Sequence, residues 1–390
     1  MTHADPLAAQ RANAQGLAAL RSGDGPAAVA AFATATTADP LAGPLWRNLA
    51  HAHRLCGDAK RERAALEQAL ALDRTDFAAL LRMAQLLERL GEELSAMTAW
   101  SGVLQMAQAM PEPPPALATE LAEGQAYVDA LRDRLDAASQ VALGPLAARM
   151  DETEARRTQA FVELALGRRT AFTNHCAGVF YPFLPADEFF DRRHFGWFAD
   201  LEAGAAAIRS ELDALVAAGD EVLRPYVRMD EGTPDTVWSE LDGSLDWGAC
   251  FLWEYGVPNP PIIARCPQTA ALLESLPLQR IPGRAPNAFF SLLRPGKVIP
   301  PHTGVTNTRA IVHLALDVPP ACGFRVGGET REWVEGQAFA FDDTIEHEAW
   351  NHSDRQRAVL IVDTWNPHLS ERERAAVTAY FAAADAALVR

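Results

Sequence analysis

The first 140 residues read as a series of amphipathic helices, with apolar positions at helical spacing and glycine at a fixed interval. Gly23, Gly57 and Gly91 recur every 34 residues, which is the period of a tetratricopeptide repeat. Small and large apolar residues follow the same register on the second helix of each predicted pair: Ala28, Phe32, Leu66, Ala96 and Trp100. This pattern predicts three helical pairs stacked side by side.

The array departs from the usual repeat at Glu62, which stands where a small residue normally lets the two helices approach. Three prolines at 113–115 then interrupt the pattern, because proline cannot continue a helix, and one further helix is predicted at 116–138 as a cap or linker. Repeat arrays serve either as scaffolds or as concave binding surfaces, and the pattern is compatible with both. The predicted domains are therefore 1–140 and 141–390.

The second domain begins with mixed patterns and continues as short strands. Helices are predicted at 151–166 and 200–218, and the apolar segment 179–198 between them is expected to pack over a sheet edge. Strands with alternating apolar residues, separated by glycine and proline turns, are then predicted at 287–293, 309–316, 323–327, 331–334, 337–342 and 357–364. Ser370 and Glu373 form a capping box that opens a C-terminal helix ending near residue 388.

Many short strands with such turns are typical of an antiparallel double-sheet jelly roll, also called a double-stranded β-helix. The predicted fold class is therefore α+β and multidomain: an N-terminal α-helical tetratricopeptide-like array, followed by a jelly roll with flanking helices. A barrel of this kind can hold a small co-substrate in its mouth.

Composition narrows the functional classes. The chain has 390 residues, a formal net charge of −16 at pH 7 and a pI near 5.1, which disfavours attraction to nucleic acid or an anionic membrane surface. Its five cysteines are scattered and form no C-x-x-C pair, so the sequence predicts neither a disulfide framework nor a cysteine zinc site. With no signal-peptide pattern and no apolar run of membrane-spanning length, the expected location is the cytoplasm.

Candidate chemistry concentrates between residues 291 and 367. His302 lies in "PPHTGVTNTRAIVHLAL", His347 lies in "FDDTIEHEAWNH", and Arg357 follows ten positions later at the start of an apolar strand. The alternation of that strand points Arg357 toward the barrel interior, where a buried guanidinium needs an anion. Two imidazoles for a metal and a guanidinium for a carboxylate are what a non-haem iron site with a 2-oxoglutarate co-substrate requires.

Residues 170 to 370 resemble the aspartyl/asparaginyl β-hydroxylase family of Fe(II)- and 2-oxoglutarate-dependent oxygenases. The resemblance is densest from Phe289, in the blocks "FFSLLRPGKVIPPHTG" and "FDDTIEHEAWN". It implies that His302 and His347 bind Fe(II), that Arg357 pairs with the distal carboxylate of 2-oxoglutarate, and that Ser291 and His313 contact the same co-substrate. The family usually has an arginine two positions before the equivalent of His313, but this chain has Ile311 there, with Arg309 nearby.

The third metal ligand is an open question at this point. The usual facial triad places a carboxylate two positions after the first histidine, and here that position is Gly304. Either water or chloride fills the coordination position, as the resemblance implies, or a carboxylate swings in from Asp342, Asp343 or Glu346.

The resulting prediction is a dioxygenase that consumes O2 and 2-oxoglutarate, forms succinate and hydroxylates a C–H bond. The resemblance favours the β-carbon of Asp or Asn in a peptide or protein that the helical repeats recruit; a free amino acid or another small molecule is the alternative. Two other classes compete with this prediction: a repeat-based adaptor with a relic barrel, and a metal-dependent isomerase of the cupin type, which would not need Arg357.

Overall fold

The computed structural model describes residues 5–110, 112–219 and 222–388. Its two compact units divide between Asp151 and Glu152. The helix that the sequence places at 116–138 continues to Ala147, so the predicted boundary at residue 140 falls within this helix.

The described part of the first unit consists of helices joined by short turns. They are α1 (Pro6–Arg21), α2 (Gly25–Ala38), α3 (Gly43–Leu55), α4 (Ala59–Leu72), α5 (Phe77–Arg89), α6 (Glu93–Gln108) and α7 (Pro115–Ala147). Gly23, Gly57 and Gly91 follow the first helix of each pair and adopt φ values of +75°, +70° and +70°. Glycine is favoured there because it enters the left-handed region without steric cost. The predicted helical repeat array is confirmed.

The second helix of each pair carries the core of this unit. Phe32 and Leu66 are completely buried and Trp100 is 2% exposed. The unusual Glu62 is also buried, and its two carboxylate oxygens each accept a hydrogen bond of 2.8 Å from Arg89. This ion pair satisfies a charge that occupies the place of a small residue.

Two antiparallel sheets form the centre of the second unit. Their strands are β1 (Arg224–Pro225), β2 (Trp247–Glu254), β3 (Val257–Pro258), β4 (Ala288–Leu293), β5 (Lys297–His302), β6 (Arg309–Asp317), β7 (Cys322–Val326), β8 (Glu329–Arg331), β9 (Ala338–Phe341), β10 (His347–Asn351) and β11 (Arg357–Trp365). The large sheet has the order β1-β2-β4-β11-β6-β9, with β3 beside β2, and the small sheet has the order β5-β10-β7-β8.

The strand order confirms the predicted fold class. From β4 to β11 the chain alternates between the sheets except at the β7–β8 hairpin, so that β4, β6, β9 and β11 pair in the large sheet and β5, β7, β8 and β10 in the small one. This is the double-sheet arrangement of a jelly roll. Apolar residues from both sheets, including Phe289, Phe324 and Phe341, meet in the core between them.

Helices cover the outer face of the large sheet with a second core, which includes Leu212, Leu273 and Leu360. The second unit contains α8 (Glu152–Ala165), α9 (Phe198–Ala203), α10 (Ala205–Ala217), α11 (Pro260–Arg265), α12 (Pro267–Ser275) and α13 (Glu371–Leu388). Of these, α9 to α12 contribute residues to this second core. The capping box is confirmed, because Glu373 accepts hydrogen bonds from the backbone N–H and hydroxyl of Ser370.

The apolar segment 179–198 only partly follows its prediction. Phe189 is buried and bridges to Phe341 on the edge strand β9, as expected of a segment packed over a sheet edge. Phe180 and Phe183, by contrast, are exposed. Among the described helices, none combines the length and the apolar character that crossing a bilayer requires.

Sequence patterns missed the strands β5 and β10, although these two carry the predicted metal ligands. Strand β5 contains Pro300 and Pro301, which remove two backbone donors and hide the strand pattern. It tolerates them at the edge of the small sheet, where one side needs no partner. Strand β10 is only five residues long and strongly polar, so its alternation is weak.

The close contact between α6 and α7 generates a prediction. A Cβ atom added at Gly124 would overlap the ring of the buried Trp100, whereas one added at Gly102 meets no atom within 4 Å. Gly124→Ala should therefore lower the free energy of unfolding by about 1–3 kcal/mol through overpacking. Gly102→Ala should raise it by up to about 1 kcal/mol through helix propensity. Urea unfolding followed by circular dichroism measures both, and changes of the same sign would contradict this packing.

Candidate active site

Strands β5 and β10 bring the two predicted metal ligands together. His302 and His347 are direct partners in the antiparallel register of the small sheet, so both side chains project from the same face. Their ring centroids are 4.0 Å apart. The site therefore depends on the pairing of two strands that are 45 residues apart along the chain.

Each imidazole is oriented by a carbonyl of its own chain segment. His302 Nδ1 lies 2.7 Å from the carbonyl oxygen of Pro300, and His347 Nδ1 lies 3.0 Å from that of Ile345. Because a carbonyl only accepts, Nδ1 carries the proton and Nε2 keeps its lone pair. Burial lowers the pKa of His302, and it lowers that of His347 well below the ordinary value. Both rings are thus neutral, as metal ligands must be.

The carboxylates considered as a third ligand are already engaged. Asp342 accepts hydrogen bonds from Thr344 and Asn174, and Glu346 pairs with Arg325 at 2.9 Å. Asp343 pairs with Arg309 at 2.7 Å through Oδ2, whereas its buried Oδ1 has no hydrogen-bond partner among the described residues. The contacts of Asp342 and Glu346 favour the two-histidine alternative, in which water or a small anion completes the coordination.

Gly304 fits the same alternative sterically. A Cβ atom at this position would overlap the carboxylate of Asp343. A side chain at 304 therefore cannot coexist with Asp343 as it stands. In the described part of the chain, no three His, Cys, Asp or Glu side chains are grouped closely enough to hold a metal ion.

Arg357 is buried without an anion. Arg357 is the first residue of β11 in the large sheet, and its side chain is 1% exposed. Its guanidinium carbon lies 5.1 Å from the ring centroid of Trp333. Its guanidinium reaches Ser291 Oγ at 3.3 Å and the Ser291 carbonyl at 3.4 Å, while Nε has no hydrogen-bond partner. Among the described residues no carboxylate pairs with it, and burial lowers its pKa to about 10.

Ser291 and His313 place further donors beside Arg357. Ser291 Oγ accepts hydrogen bonds from Trp247 Nε1 at 3.0 Å and from Arg357, which leaves its hydroxyl proton free to donate. His313 Nδ1 accepts from Trp333 Nε1 at 3.4 Å, so its proton lies on Nε2. Burial, and then the charge of Arg357, hold the pKa of His313 well below its ordinary value.

All five predicted site residues line one cavity of about 450 Å³: Ser291, His302, His313, His347 and Arg357. The orphaned guanidinium and its neighbouring donors fit a carboxylate, and the two Nε2 lone pairs fit a divalent metal. The residues present therefore fit both Fe(II) and 2-oxoglutarate.

The opposite end of the cavity is lined by an ion-pair network. Arg309 contacts Asp343 at 2.7 Å and Asp363 at 3.4 Å, and Asp363 also accepts two hydrogen bonds from Asn287. Arg357 and Asp363 lie six residues apart on β11, which corresponds to roughly 20 Å of strand. Ile311 is the strand partner of Asp363 and lines the cavity near the Asp363 end.

Sequence reasoning missed the tryptophans that hold the site. Trp253 is buried in the core on the outer face of the large sheet and does not line the cavity. Trp247 lines the cavity, and Trp333 stacks on His313. Trp238 packs edge-on against His302, with ring centroids 4.8 Å apart. Only strand register could have identified Trp247, because it faces inward two strands away from Arg357.

Comparisons with known proteins agree with the predicted resemblance. Residues 202–367 match the family model described as aspartyl/asparaginyl β-hydroxylase. The chain is 36% identical over 181 residues to the ornithine lipid ester-linked acyl 2-hydroxylase of Rhizobium tropici, covering 46% of this chain and 60% of that protein. It is 38% identical over 135 residues to the aspartyl/asparaginyl β-hydroxylase of Mus musculus, covering 34% of this chain and 18% of that protein.

A third relative is aspartate β-hydroxylase domain-containing protein 2 of Xenopus tropicalis, at 33% identity over 207 residues, 52% of this chain and 54% of that protein. The chain thus spans at most 60% of the length of these relatives. Among solved structures, 33% of the chain is similar to 99% of the first tetratricopeptide domain of Spaghetti (RPAP3), bound to an HSP90 peptide, with 19% identity and a TM-score of 0.30.

The buried guanidinium predicts a stability trade-off. Arg357→Met keeps the length of the side chain but removes the uncompensated charge, so it should raise the free energy of unfolding without ligands by about 1–3 kcal/mol. Arg355 is exposed and ion-paired with Asp317, so Arg355→Met should change the free energy of unfolding by less than about 1 kcal/mol. Urea titration at neutral pH measures both. A less stable Arg357→Met protein would show that existing contacts already compensate the charge.

Proposed function

We propose that the second unit, whose residues 202–367 match the aspartyl/asparaginyl β-hydroxylase family, is an Fe(II)- and 2-oxoglutarate-dependent hydroxylase. The observation that carries the proposal is the position of Arg357, a buried cation without an anion, in the same cavity as a neutral histidine pair. A guanidinium at this place has a clear use only if a carboxylate binds beside the metal.

In this proposal His302 and His347 hold Fe(II) through Nε2. Bound iron supplies the redox chemistry that splits 2-oxoglutarate and O2 into succinate and CO2 while one oxygen atom enters a substrate C–H bond. The protein contributes position. Carbonyl contacts from Pro300 and Ile345 orient both rings, so the two ligand atoms would need little rearrangement to bind a metal.

Arg357 would form the clamp for the distal carboxylate of 2-oxoglutarate. The free hydroxyl proton of Ser291 and the Nε2–H of His313 lie beside it and can donate to the same co-substrate. These donors belong to adjacent strands of the large sheet and are held by Trp247 and Trp333, so they need little reorganisation on binding. Phe324 and Phe341 line the remaining wall and exclude water.

The substrate would enter from the Arg309 end, because the Arg357 end is reserved for the co-substrate. The β-carbon of an Asp or Asn residue in a peptide is the first candidate, in line with the family's description. A second candidate is an uncharged chain such as a lipid acyl group, on which the Rhizobium tropici relative acts according to its name. The uncharged substrate is favoured by the apolar side chain of Ile311 in the cavity wall. It is also favoured because Arg309 already pairs with two aspartates and so has no free charge for a substrate carboxylate.

The non-catalytic alternatives fit the site less well. An adaptor with a relic barrel would have no reason to keep a buried cation that lowers its own stability. A cupin-type isomerase would use the histidine pair but not Arg357.

The histidine pair gives the direct test. We expect wild-type protein to bind one Fe(II) per chain and to form succinate from 2-oxoglutarate. His302→Ala and His347→Ala should each abolish metal binding and succinate formation, because either change leaves a single protein ligand. His352→Ala is the matched control, since this exposed ring stacks on Trp350 and does not line the cavity. Wild-type succinate formation by either ligand variant would refute the proposal.

A further inference from the structure

The charged side chains of the cavity that holds the histidine pair leave one positive charge without a partner. The arginines that line this cavity are Arg224, Arg228, Arg309 and Arg357, and the carboxylates that line it are Glu254, Asp343 and Asp363. Glu254 pairs with Arg224, and both aspartates pair with Arg309. Arg357 is assigned to the co-substrate in the proposed function. No carboxylate of the described cavity wall is left for the fourth arginine.

Arg228 is this fourth arginine. Its side chain is exposed where it lines the cavity, which places the guanidinium at the opening to solvent. Among the described residues, no ion pair or hydrogen bond engages it. The cavity therefore has a free cation at its opening, in a chain whose net charge is −16.

Tyr226 provides a free hydrogen-bond donor two positions before Arg228. Its ring stacks on Trp247, with centroids 3.9 Å apart, and its backbone N–H donates to the Trp247 carbonyl at 3.0 Å. Its hydroxyl makes no hydrogen bond with the described residues. Burial raises the pKa of Tyr226 to about 12, so the phenol keeps its proton and can donate it.

The two free groups face the same space. Tyr226 and Arg228 both line the cavity, whereas Val227 between them packs against the core between the sheets. A guanidinium and a phenol hydroxyl can converge on one carboxylate or phosphate, because the first supplies a charge-assisted hydrogen bond and the second an additional donor. Stacking on Trp247 holds the phenol in place, so little reorganisation is needed on binding.

Much of the remaining cavity wall is apolar. The ring centroid of Phe289 lies 5.4 Å from that of Tyr226, and Val305, Ile311 and Ile361 line the same space. A charged group placed against these side chains would lose its hydration without gaining a partner. The part of a ligand that lies deeper than its anion should therefore be apolar.

We propose that Arg228 and Tyr226 bind an anionic group of the substrate, a carboxylate or a phosphate, while an apolar part of the same molecule extends to the histidine pair. This inference rests on the proposed hydroxylase function and adds a substrate subsite to it. It describes a substrate whose charge is remote from the carbon that is hydroxylated. Such a molecule leaves the pairs of Arg309 with Asp343 and Asp363 intact.

Calorimetric titration of the full chain without metal tests the subsite. The probes share one alkyl chain and are used below their micelle-forming concentrations: octanoate, octyl phosphate and the uncharged octyl glucoside. We expect an anionic probe to bind at one site per chain and octyl glucoside to bind at least tenfold more weakly, as expected when a charge-assisted hydrogen bond is missing. The tighter of the two anions identifies the group that the subsite prefers.

Single substitutions locate the bound anion. Arg228→Gln should weaken binding of the preferred anion about tenfold or more, and Tyr226→Phe, which keeps the stacked ring, should weaken it about three- to tenfold. Arg355→Gln is the matched control, because this exposed arginine pairs with Asp317 and does not line the cavity. Its affinity should stay within twofold of wild type, and so should that of Arg357→Met. Circular dichroism verifies that each variant is folded.

Three results would overturn the subsite: no binding of either anion, equal binding of octyl glucoside and the anions, or equal losses in Arg228→Gln and Arg355→Gln. A loss confined to Arg357→Met would place the anion at the co-substrate end and overturn it as well. No step of this test requires metal or turnover. Succinate formation by a protein that does not distinguish the probes would reject the subsite alone, and discrimination without succinate formation would reject the hydroxylase alone.

Discussion

The candidate site depends on the charge of Arg357, a buried guanidinium that no carboxylate of the described residues neutralises. Arg357 places a guanidinium between two sheets, where burial disfavours its charge, and among the described residues only neutral groups contact it. The surrounding tryptophans and Ser291 hold this cation in place without neutralising it. This buried positive charge favours the binding of an anion in the cavity. The histidine pair lines the same cavity.

The metal-binding half of the site rests on a different constraint, the register of a small sheet. His302 and His347 meet because they are direct strand partners, and a shift of one residue would turn one ring away. Gly304 and Asp343 lie close to this histidine pair. The absence of a side chain at Gly304 makes room for the Asp343 carboxylate, which pairs with Arg309. The space that a side chain at position 304 would need is thus taken by the ion pair of Asp343 with Arg309.

Much of this could be predicted from the sequence, for identifiable reasons. The glycines at 23, 57 and 91 and the alternation after Arg357 are local patterns, and both gave the correct elements. The strands β5 and β10 were missed because prolines and polar residues conceal their alternation, although their histidines stood in recognisable motifs. Trp247 and the network of Arg309 with Asp363 depend on pairing between distant strands, which no local pattern records.

The central claim is that Arg357 and the histidine pair form one site for 2-oxoglutarate and a metal. Calorimetric titration of 2-oxoglutarate into anaerobic protein loaded with Fe(II) tests it most directly, with metal-free protein and Arg357→Met as comparisons. We predict one co-substrate per chain, binding that requires the metal, and an affinity lowered about tenfold or more in Arg357→Met, as expected when a charge-assisted pair is lost. Equal affinity of wild type and Arg357→Met, or binding that ignores the metal, would contradict the account.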